Sequence, residues 1–142
     1  MLTSPRARRT LAAFVASASD AETVEIESAA KLSGGSVQES WRVDAVCTGG
    51  RLAGKQRLVL RADAPTHLAA SRSRAEEFAL LRAAFAGDVR VPEPLFCCGE
   101  SDVLGRPFFL MRWSPGVAAG AVLARDAAWN GKRDGLAAEL GR

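Results

Sequence analysis

Gly34 and Gly35 lie between Ser33 and Ser36, with alternating apolar and polar stretches on either side. Two residues free to take positive φ there make a tight reversal. Such a turn either simply joins two strands or presents backbone N–H groups, unobstructed by a Cβ, to phosphate oxygens. In the second case the two serine hydroxyls are further donors. A second group of residues is ionic. Arg61 closes the run Arg57-Leu58-Val59-Leu60-Arg61, and Glu76 and Glu77 stand near the start of a helical pattern. An arginine at a strand end is either solvated or paired with an anion, and each carboxylate is either a surface residue or its partner. Sulfur and imidazole chemistry is thinly supplied. Cys47, Cys97 and Cys98 include no C-x-x-C pair and His67 is the single histidine, which argues against a zinc site. The cysteines read as reduced, partly buried thiols, as in a cytoplasmic protein. His67, in a polar stretch, reads as solvated.

The elements that position these residues follow from periodicity. Residues 6–18 read as a helix with Leu11, Phe14 and Val15 on one face. Arg6, Arg8 and Arg9 ahead of an apolar run that ends in Ala16-Ser17-Ala18 also have the outline of a short signal peptide. Val24–Glu27 and Trp41–Val46 alternate as strands, so the glycines join an antiparallel hairpin. Gly49, Gly50 and Gly54 break the chain before a third strand at 57–61. Residues 73–86 carry Phe78, Leu81 and Phe85 on one face, with Leu80 and Ala84 beside it, and Gly87-Asp88 ends that helix. Prolines 92 and 94 extend the chain into a strand at 95–99. After a turn at Leu104-Gly105-Arg106, residues 107–113 read as a fifth strand, stopped by Ser114-Pro115-Gly116. Residues 133–142 look like the opening of a further helix. The expectation is an α+β fold, a five-stranded antiparallel sheet with a packed helix. In it Trp41 is a core residue, Met111 and Phe109 are either core or pocket lining, and Cys97 and Cys98 point to opposite faces.

Composition narrows the classes. The chain has 142 residues, 48% of them hydrophobic and 25% charged, which fits one globular domain or a fragment of a larger one and excludes wholesale disorder. No apolar stretch reaches the ~18 residues of a membrane span. The net charge of +3 comes from scattered arginines rather than a basic block. With no tyrosine, and Phe and Trp at core-like positions, a nucleic-acid binder ranks last.

Several segments in series resemble one family. Leu32–Trp41 resembles the Gly-rich hairpin of the aminoglycoside phosphotransferase and choline kinase-like family, Leu58–Arg61 its third strand, and Arg74–Leu81 its first lobe helix. Val91-Pro92-Glu93-Pro94 and Gly105–Met111 match segments that follow in the same order. The resemblance implies the small lobe of a protein-kinase-like fold at 21–113, preceded by an N-terminal helix at 1–20. It is followed at 114–142 by a hinge and the start of helices leading into a larger lobe. It also implies that ATP is bound, with Ser33, Gly34, Gly35 and Ser36 over its phosphates. Arg61 is then the phosphate-pairing cation, with Glu77 as its aligned partner and Glu76 one residue away. Met111-Arg112-Trp113 falls at the hinge, where backbone groups meet adenine. Protein kinases use Lys at the Arg61 position; Arg keeps the charge and adds a planar fork of donors.

The family's catalytic loop, of H-x-D-x-x-x-x-N type, is not found here. His67 is followed by Leu68-Ala69, and nothing after residue 116 resembles that loop or the acidic residue that holds Mg2+. Those elements lie in the family's C-terminal lobe. The expectation is therefore an ATP-binding lobe that stops at the lobe junction and is inactive by itself. In the whole protein it would serve transfer of the ATP γ-phosphate to a hydroxyl of an aminoglycoside-like, choline-like or hydroxyacyl small molecule. The motifs also resemble kinase-like domains found alone or fused to acyl-CoA dehydrogenases. The alternative is a non-catalytic remnant that senses nucleotide or binds a partner.

Overall fold

The computed structural model describes residues 1–32, 38–63, 72–99, 101–116, 125–129, 131–132, 135–136 and 138. The turn residues Ser33, Gly34, Gly35 and Ser36, and His67, lie outside that set. Helix α1 spans Pro5–Ser19, followed by strands β1 (Thr23–Lys31), β2 (Gln38–Thr48) and β3 (Gly54–Asp63). Helix α2 (Arg74–Ala86) precedes strands β4 (Pro94–Cys98) and β5 (Phe108–Arg112). The five strands form one antiparallel sheet in the order β1-β2-β3-β5-β4. Strands β1, β2 and β3 run longer than their apolar stretches, because ladder hydrogen bonds continue past the last buried side chain, whereas β5 is two residues shorter than expected at 107–113 and β4 is shifted by one.

The α1 face of the sheet carries the core. Along β2, Glu39, Trp41, Val43, Ala45 and Cys47 are buried while the residues between them are not, which is the period-2 alternation of a strand with one covered face. Leu58, Leu60 and Ala62 of β3, Phe108 and Leu110 of β5, and Phe96 and Cys98 of β4 continue the same layer. Helix α1 closes it with Leu11 and Val15, and Phe14 meets Phe108 edge-on with ring centroids 5.2 Å apart. Burying each such Leu, Val or Phe contributes roughly 1.5–3 kcal/mol. Ser4 caps α1 by accepting from the Ala7 amide, and Pro5 occupies the first turn, where its missing N–H costs nothing. Past the helix end, the turn between β2 and β3 grips α1. The Arg51 amide donates to the Ser19 carbonyl (2.8 Å), and Gly50, at φ +68°, packs so close that a Cβ would lie 2.4 Å from that same oxygen. Glycine is required there both for its φ and for its lack of a side chain.

Helix α2 lies on the opposite face, over β3, β4 and β5. Ser73 and Glu76 form a reciprocal capping box, and the Gly87 amide closes the last turn on the Ala83 and Ala84 carbonyls. The packing is narrower than the periodicity predicts. Phe78 rests on Phe109 at 5.9 Å between centroids and Leu81 is half-buried, but Phe85 is 45% and Leu80 51% exposed. The reason is geometric: the sheet under α2 is only as wide as the short strands β4 and β5. The helices expected at 6–18 and 73–86 are thus both present, one on each face of the sheet.

Candidate functional site

The face that α2 only partly covers gathers the charged residues. Arg61 lies on β3 between Ser40 of β2 and Phe109 of β5. Its Nε is 3.1 Å from Glu77 Oε1 on α2, and its terminal nitrogen donates to Gln38 Oε1. Its side chain keeps 34% exposure, so it is held from behind while its outer edge stays open. Glu77 is in turn held by Arg74, which donates to its second oxygen. Arg74 is 1% exposed; its Nε lies 2.8 Å from Asp63 Oδ1, and its other terminal nitrogen donates to the Arg72 carbonyl (2.9 Å). The result is a chain of alternating charge, Arg61–Glu77–Arg74–Asp63. The buried guanidinium is paired on both sides, as burial of a charge requires. Glu76, the alternative partner, points elsewhere and is committed to Ser73, whose backbone and hydroxyl bonds hold its carboxyl below the usual range.

Sequence reasoning gave no role to Arg74, Asp63 or Gln38. One signal was available for Arg74. A cation in the first turn of a helix faces the positive end of the helix dipole, so its presence there calls for specific anionic partners. Gln38 and Asp63 face each other at the far end of the β2–β3 ladder, a pairing that only the register reveals.

At the other end of the same face, Met111 pairs with Val59, and Trp113 follows the end of β5. Both are half-buried. The Trp113 amide donates to the Arg57 carbonyl (3.1 Å) and the Arg112 amide to the Glu93 carbonyl (2.9 Å). These two N–H groups are therefore committed within the sheet, and a ligand at this segment meets Met111 and Trp113 through other atoms. Phe109 is fully buried and serves packing, not pocket lining.

Two further carboxylates organise the molecule. Asp44 accepts from Arg57 Nε (2.6 Å) and Ser28 Oγ (2.7 Å) and has Arg42 Nε at 3.3 Å. The hydrogen bonds from Arg57 and Ser28 outweigh its desolvation and hold it below the usual carboxylate range. Glu39 sits under the core face, where burial pushes its carboxyl up. The Trp41 indole bond (2.9 Å) and the charges of the Met1 ammonium, Lys31 and Arg106 outweigh that and bring it below the ordinary value. The thiols of Cys47 and Cys97 are pushed up by burial. No three His, Cys, Asp or Glu side chains gather to hold a metal among the described residues. A half-open arginine fixed by a carboxylate and an amide is suited to bind a phosphate-like anion, because its donors are oriented before the ligand arrives.

Comparison with known proteins finds likenesses in sequence and in fold. The model of a family described as phosphotransferase enzyme family matches residues 31–142. The chain is similar to acyl-CoA dehydrogenase family member 10 of Mus musculus, with 33% identity over 67 residues, 47% of this chain and 6% of that protein. Its backbone is similar to the crystal structure of a protein assigned as an aminoglycoside phosphotransferase from Ralstonia eutropha JMP134. The TM-score is 0.57 at 19% identity, covering 78% of this chain and 29% of the other. At that identity the likeness establishes the fold. The chain thus spans less than a third of the length of either relative.

Proposed function

This chain belongs to the phosphotransferase enzyme family, and on that premise we propose that its open sheet face binds ATP for transfer of the γ-phosphate to a small-molecule hydroxyl. The observation that carries the reading is the Arg61–Glu77 pair, which joins the third strand to the helix on the face away from the core. Arg61 meets the α- and β-phosphates as a planar fork of donors, while Glu77, backed by buried Arg74, fixes its position. Ser33, Gly34, Gly35 and Ser36 supply amides and hydroxyls over the phosphates, and the Met111–Trp113 segment borders the base. Bound Mg2+ would neutralise phosphate charge. No cluster of three metal-ligating side chains lies among the described residues, and we propose that groups outside them hold the ion. In the whole protein the acceptor is a hydroxyl-bearing small molecule. Aminoglycoside-like, choline-like and hydroxyacyl acceptors are the classes to test, the last prompted by the similarity to an acyl-CoA dehydrogenase family member.

Calorimetric titration with ATP and Mg2+ tests the reading. Arg61→Ala and Glu77→Ala should each weaken binding at least tenfold while the chain stays folded, since a charge-assisted hydrogen bond is worth about 1.5–3 kcal/mol. Unchanged affinity in both variants would remove these residues from the site.

A further inference from the structure

The strand registers place Ala30, Arg42, Val59, Met111 and Pro94 opposite one another on β1, β2, β3, β5 and β4, so they form one row across the open face. The Arg61 row, Ser40–Arg61–Phe109–Cys97, lies two residues along, roughly 7 Å away. Within the first row Ala30, Val59, Met111 and Pro94 are small or apolar, and Arg42 is the single charged member. Arg42 is 38% exposed, and Asp44 Oδ2 lies 3.3 Å from its Nε. Asp44 is itself fixed by Arg57 and Ser28, so the anion beside the Arg42 Nε is held in place while the side chain keeps its exposure. An arginine in an apolar row, restrained at Nε, offers a weakly hydrated plane suited to an aromatic ring.

We infer that Arg42 stacks on the base of the bound nucleotide and contributes affinity through the base rather than through the phosphates. The inference rests on the nucleotide reading above. If Arg61 meets the phosphates, the row two residues along, which contains Met111 of the Met111–Trp113 segment, faces the base and sugar. The Arg112 and Trp113 amides are committed to Glu93 and Arg57, so this face must recognise the base by contact with its ring more than by those two donors.

The test compares ATP with inorganic tripolyphosphate, each with Mg2+, by calorimetry on the unaltered chain, Arg42→Met and Arg42→Tyr. Thermal midpoints confirm that the variants fold. Arg42→Met should lose roughly three- to thirtyfold in ATP affinity, the range of a partly desolvated cation–π contact, and less than twofold for tripolyphosphate. Arg42→Tyr, which keeps a stacking plane, should recover most of the ATP affinity. Equal losses for both ligands would make Arg42 a phosphate contact and overturn the inference, as would unchanged ATP affinity in Arg42→Met. A chain that binds ATP no better than tripolyphosphate would overturn it while sparing the Arg61 site. Failure to bind either ligand would remove the nucleotide reading and this inference together.

Discussion

The two faces of the sheet are built on opposite principles. The face under α1 is an almost continuous apolar layer in which Leu58, Leu60, Phe108 and Leu110 are fully buried, and its one carboxylate, Glu39, is surrounded by donors. The face under α2 is half-covered and charged, with Arg61, Glu77, Arg74 and Asp63 in one chain and Arg42, Asp44 and Arg57 in another. Each strand serves both faces through its two-residue alternation, so β3 carries Leu58, Leu60 and Ala62 on one side and Val59 and Arg61 on the other. The contrast places the core on one side and the proposed ligand chemistry on the other, and it can be broken at several points.

The largest effect belongs to the core face. Phe108→Ala should cost about 3–5 kcal/mol by urea unfolding, a large share of a small domain's total. Next is Arg74→Met, which leaves Asp63 and Glu77 without their shared cation. It should cost about 3 kcal/mol, the low end for breaking a buried pair because both carboxylates keep some exposure, and it should also loosen Arg61 and weaken ATP binding. If Arg74→Met lowered stability alone, the charge chain would be purely structural.

A smaller effect appears in acid. The Asp44 carboxyl lies below its unfolded value, so the folded state binds its proton less readily than the unfolded chain does. Its contribution is fully present above about pH 4 and is lost as pH falls through the depressed folded value. Glu39 acts in the same direction. Urea midpoints measured from pH 6 to pH 2 should fall less steeply in Asp44→Asn than in the unaltered chain, and an unchanged slope would remove Asp44 from the acid response. The smallest effect is expected at Leu80→Gln. On the exposed side of α2 this should change stability by no more than about 0.5 kcal/mol, and a larger loss would mean that this side of the helix is covered.

Most of the fold was legible in the sequence because its signals are local. Alternation in β2, the Leu11, Phe14 and Val15 face of α1, and the Ser73–Glu76 cap are all read from neighbours in the chain. The α2 face was over-read. Periodicity marks Phe78, Leu81 and Phe85 alike, but how much sheet lies beneath a helix depends on the length of strands that follow it. The site was legible only in part. Arg61 and Glu77 came from resemblance, and the structure brings them to 3.1 Å of each other. Gln38, Asp63 and Arg42 gain meaning only through register, which no local pattern encodes, and Arg74, whose place in the first turn of a helix calls for an anion, finds its partners only through contacts between strand and helix.

The most direct test of the division between faces is a nitrogen–proton NMR titration of the chain with ATP and Mg2+. The account predicts shifts concentrated at residues 38–42, 57–63 and 109–113, with the α1 amides of Leu11–Val15 unmoved. Shifts centred on α1, or scattered evenly over both faces, would contradict it.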